Sequence, residues 1–195
     1  MSAFDIAFLV FTAVIGGLRG TYHWRARAHR PRKRDTSWSD RALLLCAMAG
    51  MMPIPLLEIF TPIFAPFDVA IPSALSWAGV VLLALGALLF WRSHADLGDN
   101  WSARLAIQPE HRLVENGVYR RIRHPMYAAL LLSGLGQFLV LANWIGGGSL
   151  LAVGVLFYAV RIPREERLML EEFGETYRDY MRRTGRVVPR PRGRS

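Results

Sequence analysis

The chain has 195 residues, of which 52% are hydrophobic and 20% charged, and it carries a formal net charge of +9. A soluble domain of this length is not normally so apolar, and the apolar residues fall in blocks, which excludes an ordinary water-soluble globule. The single cysteine, Cys46, excludes an intramolecular disulfide and a multi-cysteine zinc site; no metal centre is expected, and the thiol is expected to be buried and inert.

In chain order, the apolar blocks cover residues 3–18, 42–60, 73–91 and a double-length stretch from 126 to 160. A helix needs about 20 apolar residues to cross a bilayer. The long block is broken at Asn143 and at Gly146-Gly147-Gly148, so it divides into spans 126–142 and 145–160 joined by a tight turn. The expected fold is all-α: one polytopic membrane bundle of about five transmembrane helices, residues 1–195 forming a single domain. The first block is expected to be a retained helix rather than a signal peptide, because Asp5 precedes it and arginines follow it.

The charges set an orientation. Lys33 is the only lysine; the remaining cations are arginines gathered in residues 19–41, 92–124 and beyond 160, while 60–72 and the 143–148 turn carry none. The positive-inside rule then places the N-terminus outside and the C-terminus in the cytoplasm. The basic stretch 25–40 is expected to rest on anionic lipid headgroups, with no nucleic-acid partner. Ser37, Ser39 and Asp40 are N-cap candidates for the second helix, and Pro53 and Pro55 should kink or end it. Glu58 reads as a headgroup-level residue, and Gly79 and Gly86 permit close helix packing.

Two cytoplasmic segments, about 92–125 and 161–189, carry the remaining chemistry. Gly98 suggests a turn, and Trp101 an interfacial anchor. His124 precedes proline and should be extended; Pro125 suits the first position of a helix, with free backbone N–H groups at its mouth and Tyr127 one turn inside. Asn116-Gly117 is a turn signal followed by Tyr119. Arg161 and Glu165 share a helix face, with Pro163 bending or restarting the helix between them. Glu165 and Glu166 are expected at the end of the last span, a helix C-terminus whose dipole disfavours anions. Met169, Phe173, Tyr177, Tyr180 and Met181 can share one face of a helix lying on the membrane or against the cytoplasmic loop; residues 190–195 read as a disordered tail.

Leu113-Val114-x-x-Gly117-Val118-Tyr119, then Arg123-His124-Pro125-x-Tyr127, then Glu165-Glu166 and Phe173-Gly174-x-x-Tyr177 together resemble the isoprenylcysteine carboxyl methyltransferases and the related phospholipid methyltransferases. Asp96-Leu97-Gly98-x-Asn100-Trp101-Ser102 is similar to small prokaryotic members. The resemblance covers about residues 96–189, roughly half the chain, and the chain has fewer spans than the larger eukaryotic members.

The resemblance implies S-adenosyl-L-methionine as cofactor, in a cytoplasmic pocket formed by loops and the C-terminal helix. By motif position, His111, Leu113, Val114, Tyr119, His124, Pro125, Met126, Tyr127 and Glu165 would contact the cofactor. Arg161, Glu165 and His124 would form the catalytic set, with Arg161 facing a substrate carboxylate. The implied partner is a lipophilic or prenylated acceptor reached laterally from the membrane by a monomeric enzyme. A carboxylate acceptor is already ionised at neutral pH and requires no general base; for an amine or thiol acceptor His124 is the available base. Three other readings remain: a phospholipid amine or thiol methyltransferase, an NADPH-dependent membrane reductase whose cofactor phosphate would meet Arg120, Arg121 and Arg123, and a non-catalytic membrane protein.

Overall fold

The computed structural model describes residues 1–26, 38–98 and 113–190. His111, the 99–102 part of the motif, Ser37 and the 191–195 tail lie outside the described residues. The described chain is helical, with only isolated bridges, Asp68 to Asn143 and Ile122 to Gly185, outside the helices.

Helix α1 covers Ala3–Ala26 and begins in a reciprocal cap, Asp5 N–H donating to Ser2 Oγ. Helix α2, Trp38–Met51, gives way to α3, Pro53–Phe60, at Met52, where the two prolines break the hydrogen-bond ladder. A 3₁₀ turn, Pro62–Phe67, leads to α4, Ser73–Leu97, which ends at Gly98 with φ 54°. Helix α5 is Pro125–Leu141 and α6 is Ser149–Leu156. A π turn, Phe157–Arg161, then passes directly into α7, Ile162–Arg183. Segments Ala3–Tyr22, Arg41–Phe60 and Ser73–Leu97 are each long and apolar enough to cross a membrane, and α5 is a shorter apolar helix. Val10, Leu45, Met48, Trp77, Val81, Leu88 and Val155 point outward, as a lipid-facing surface requires.

The helices pack through small residues. The principal pair is α4 with α5. A Cβ on Gly136 would lie 2.8 Å from the Gly79 carbonyl oxygen and 2.9 Å from Leu83 N, and one on Gly79 would lie 2.8 Å from Leu139 Cβ. In lipid, where helices gain nothing by hiding apolar surface, such close approach lets dispersion hold the pair. Two polar residues inside the apolar run pin the rest. Gln137 Nε2 donates to the carbonyls of Gly50 (3.0 Å) and Gly146 (2.8 Å), joining α5 to the end of α2 and to the turn before α6. Asn143, 0% exposed, donates to Phe64 O and Asp68 Oδ1 and accepts from the N–H groups of Ile145 and Gly146, closing the α5–α6 turn.

Two expectations need correction. Cys46 is exposed, not buried, because it sits on the outward face of α2 with Leu45. Glu165 and Glu166 do not lie at a helix C-terminus: the helix continues through Pro163, which occupies the tolerated first turn of α7, so the dipole argument lapses.

Gly136→Ala should destabilise the protein by about 1–3 kcal/mol through backbone overpacking. Gly16→Ala, whose Cβ meets nothing within 4 Å, should be neutral or slightly stabilising. Thermal unfolding of the two variants in detergent checks the contrast.

Candidate functional site

The ends of four chain segments meet where α5 begins. His124 caps α5 with φ −124°, ψ 59°, outside the helical region as a residue before proline must be, but short of the extended conformation the sequence suggested. Its N–H and that of Arg123 donate to the carbonyls of Arg186 and Gly185, both at 2.9 Å. The segment after α7 thus docks as a short parallel bridge on residues 121–124.

Glu166 is the hub. It is 4% exposed, and its carboxylate accepts from Arg123 Nε at 2.7 Å and from Arg186 at 2.6 and 3.2 Å, with His124 Nε2 at 3.4 Å. Burial alone would raise its pKa; the His124, Arg123 and Arg186 contacts outweigh that and hold it down to about 2. Arg123 also donates to Thr184 O. Sequence reasoning named Glu166 in the acidic block but gave it no role, and missed Arg186. The usable signal was a glutamate three residues after a helical proline, with excess arginine on both neighbouring segments.

Around this hub the loop is tied down. Asp96 Oδ2 accepts from Val118 N–H at 2.8 Å, and a Cβ on Gly117, φ 55°, would strike that carboxylate. Tyr180 donates to Tyr119 O, Tyr119 to Ser93 O, and Arg183 to Glu115. Burial pushes the Tyr119, Tyr177 and Tyr180 phenols up, so they stay protonated donors. Tyr177 and Tyr180 form the buried face of α7, and Gly174, φ 52°, lets the helix bend over the loop.

Beside the hub lies a half-open cavity of about 140 Å³ inside the bundle. Its walls come from α1, α2, α4, α5 and α6, with Phe11, Met51, Phe90 and Leu150 on the apolar side. At the polar end stand Arg161, Glu165, Tyr127, Met126, His94 and Arg19. Tyr127 donates to Glu165 Oε2 at 2.7 Å, and its ring lies 5.7 Å from Phe157. Arg161, 5% exposed, is stacked over Phe157 at 5.4 Å. The π turn puts both Phe157 and Arg161 on this wall.

Of the residues expected at the site, Arg161, Glu165, Met126 and Tyr127 come together on the cavity wall. His124 lies behind it, with Nδ1 4.0 Å from Glu165 and its ring 5.7 Å from Tyr127. Leu113, Val114, Tyr119 and Pro125 belong to the supporting loop and helix start rather than to the wall. The arginine set suggested for a nucleotide phosphate is divided: Arg123 is committed to Glu166, whereas Arg120 and Arg121 line a separate surface groove with Arg183.

The family model for isoprenylcysteine carboxyl methyltransferases matches residues 77–171, which span α4 through the hub glutamate. Over that region, just under half of its length, the chain resembles this family. Relatives include protein-S-isoprenylcysteine O-methyltransferase B of Arabidopsis thaliana, 33% identical over 57% of this chain and 57% of that protein. The Homo sapiens protein-S-isoprenylcysteine O-methyltransferase is 30% identical over 59% of this chain and 41% of its own length. The chain therefore spans between about two fifths and three fifths of the length of these curated relatives. A solved structure of a eukaryotic intramembrane Ras methyltransferase, ICMT, shares the fold, with TM-score 0.56 and 24% identity over 80% of this chain and 54% of that one. The matched intramembrane fold and the three long apolar helices make this an integral membrane protein.

Glu166→Gln should remove the charge that both arginines require and cost about 3 kcal/mol, read as a lower unfolding temperature. Because the folded pKa is depressed, the wild-type contribution is complete above pH 4.5 and fades as pH falls towards about 2. The variant's stability should lack that acid-side loss, which unfolding measured from pH 7 to pH 3 tests.

Proposed function

We propose that the protein is an S-adenosylmethionine-dependent methyltransferase whose reaction at the membrane is O-methylation of the carboxylate of an isoprenylcysteine-like acceptor. The observation that carries this reading is the cavity, which joins an apolar wall within the bundle to an end bearing guanidinium groups and a carboxylate. An acceptor with a lipid tail and an anionic head matches that division. The family match over 77–171 and the names of the relatives support the same chemistry.

The residues present suit such a donor. A sulfonium cation is stabilised by carboxylates and aromatic faces, and Glu165, Tyr127 and Phe157 offer both around one space. When bound, the donor supplies an electrophilic methyl group, which leaves sulfur for an acceptor oxygen. The chain's own part is positioning, the main source of rate in an in-line displacement. Arg161 orients the acceptor carboxylate. Tyr127 holds Glu165 in place through its hydroxyl, and the apolar walls exclude water. The carboxylate is ionised at neutral pH, so no general base is needed, and His124, engaged beside Glu165 and Glu166, serves as a positioning residue. Leu113, Val114, Tyr119, Pro125 and Met126, with His111, complete the proposed cofactor-binding set. The distribution of arginines, read by the positive-inside rule, supports a site on the cytoplasmic face with the N-terminus outside.

An amine headgroup is disfavoured at this end, because two guanidinium groups face the cavity against one carboxylate. A nucleotide phosphate is disfavoured in this cavity because Arg123 is bound to Glu166 and Arg120 and Arg121 line a separate groove.

Calorimetric titration of the detergent-purified protein should show binding of S-adenosylhomocysteine and none of NADPH; the reverse result sinks the reading. Methyl transfer should favour N-acetyl-S-farnesylcysteine over phosphatidylethanolamine and over a simple thiol. Glu165→Ala should weaken S-adenosylhomocysteine binding about tenfold, on the order of 1.4 kcal/mol. Arg161→Ala should chiefly lower turnover of the carboxylate acceptor, on the order of 100-fold. Normal turnover without Arg161 would remove it from the site.

A further inference from the structure

Arg19 is the unexplained charge of this cavity. It belongs to the 3–22 membrane segment of α1, whose other cavity-lining side chains, Phe11 and Ile15, are apolar. Phe11, Ile15 and Arg19 recur every four residues, so they form one stripe, and all three line the cavity. A long arginine near a helix end ordinarily turns outward to headgroups and water. Here the half-buried guanidinium turns inward, the behaviour of intramembrane charges that mark a substrate path.

Its surroundings are built for an anion. Arg161 faces the same space from the π turn, and the two guanidinium groups repel one another. Two cations against the single carboxylate of Glu165 leave the lining with an excess positive charge. His94, 1% exposed, lies beside them, held by its Nδ1 contact with Phe90 O at 2.9 Å and flanked by the Tyr22 ring at 4.8 Å. In a low-dielectric space two like charges are tolerated when an opposite charge sits between them. Arg19 also precedes the 77–171 region that the family model matches, so the family resemblance does not supply it.

We propose that Arg19 is the second guanidinium of the acceptor subsite, binding the acceptor's carboxylate opposite Arg161 and selecting an anionic headgroup over a neutral one. The inference rests on the reading of the cavity as the acceptor site. It makes α1, rather than only the 92–189 half of the chain, part of the specificity machinery.

The test compares N-acetyl-S-farnesylcysteine with its carboxamide on the full chain, as competing ligands and, for the acid, as acceptor. Wild type should bind the acid at least about tenfold more tightly than the amide. In Arg19→Gln that preference should fall to about twofold or less, and KM for the acid should rise about tenfold with kcat changed much less. S-adenosylhomocysteine affinity should stay within about twofold. Arg19→Lys should restore part of the preference, and Arg19→Met, which keeps the aliphatic length, replaces Arg19→Gln if that variant does not fold. An unchanged acid-to-amide preference in a folded variant lacking the charge overturns the proposal. If wild type transfers no methyl group to any acceptor, the function reading falls; the binding comparison still decides Arg19 by itself.

Discussion

The carboxylate of Glu166 holds together segments that the membrane alone would leave apart. Lipid aligns α1 to α6 but does nothing for the chain beyond Arg161. That part must be fastened by polar contacts, and most converge on one group: Arg123 from the start of α5, Arg186 from beyond α7, and His124 at the helix mouth. The backbone bridge between 121–124 and 185–186 closes the same junction. With it in place, Glu165, one residue before the hub, is delivered to Tyr127 and to the cavity. A charge so buried is stable only while its partners stay, so the junction behaves as a unit.

Within the bundle the division of labour is different. Glycines on α4 and α5 bring backbones into contact, and Gln137 and Asn143 spend their hydrogen bonds on carbonyls that lipid could not satisfy. These interactions fix the helices that wall the cavity, leaving its polar end to the termini of the helices. Rigid walls with chemistry gathered at their ends suit a reaction that depends on placing two groups in line.

Much of the bundle was legible because apolar block length and helix-breaking residues are local signals. Pro53, Pro125 and the 143–148 turn mark element ends in the sequence as they do in the structure. The resemblance likewise placed Arg161, Glu165 and Tyr127 on common ground. What escaped was whatever depends on distant partners. Arg186 lies 20 residues from Glu166, and nothing local distinguishes it from the other arginines of a basic tail. Arg19 read as an orientation charge because its neighbour Arg161 is far away in sequence. The end of the last span was misjudged for a different reason: Pro163 signals a break only when its missing N–H matters, and after a π turn it falls in a helix's first turn.

That π turn, Phe157–Arg161, joins two helices with different obligations. Before it, Gly154 must face Leu131 of α5; after it, Glu165 must meet Tyr127 and Glu166 must meet Arg123. An α-helix rotates roughly 100° per residue, so the extra residue held in a π turn acts as a phase adjuster between the two faces. Loss of one residue there would leave the fold's composition and charge untouched, yet swing every side chain of α7 by about that angle relative to the bundle. The spacing across 157–161 is thus far less tolerant of insertion or deletion than the identities of the residues that fill it.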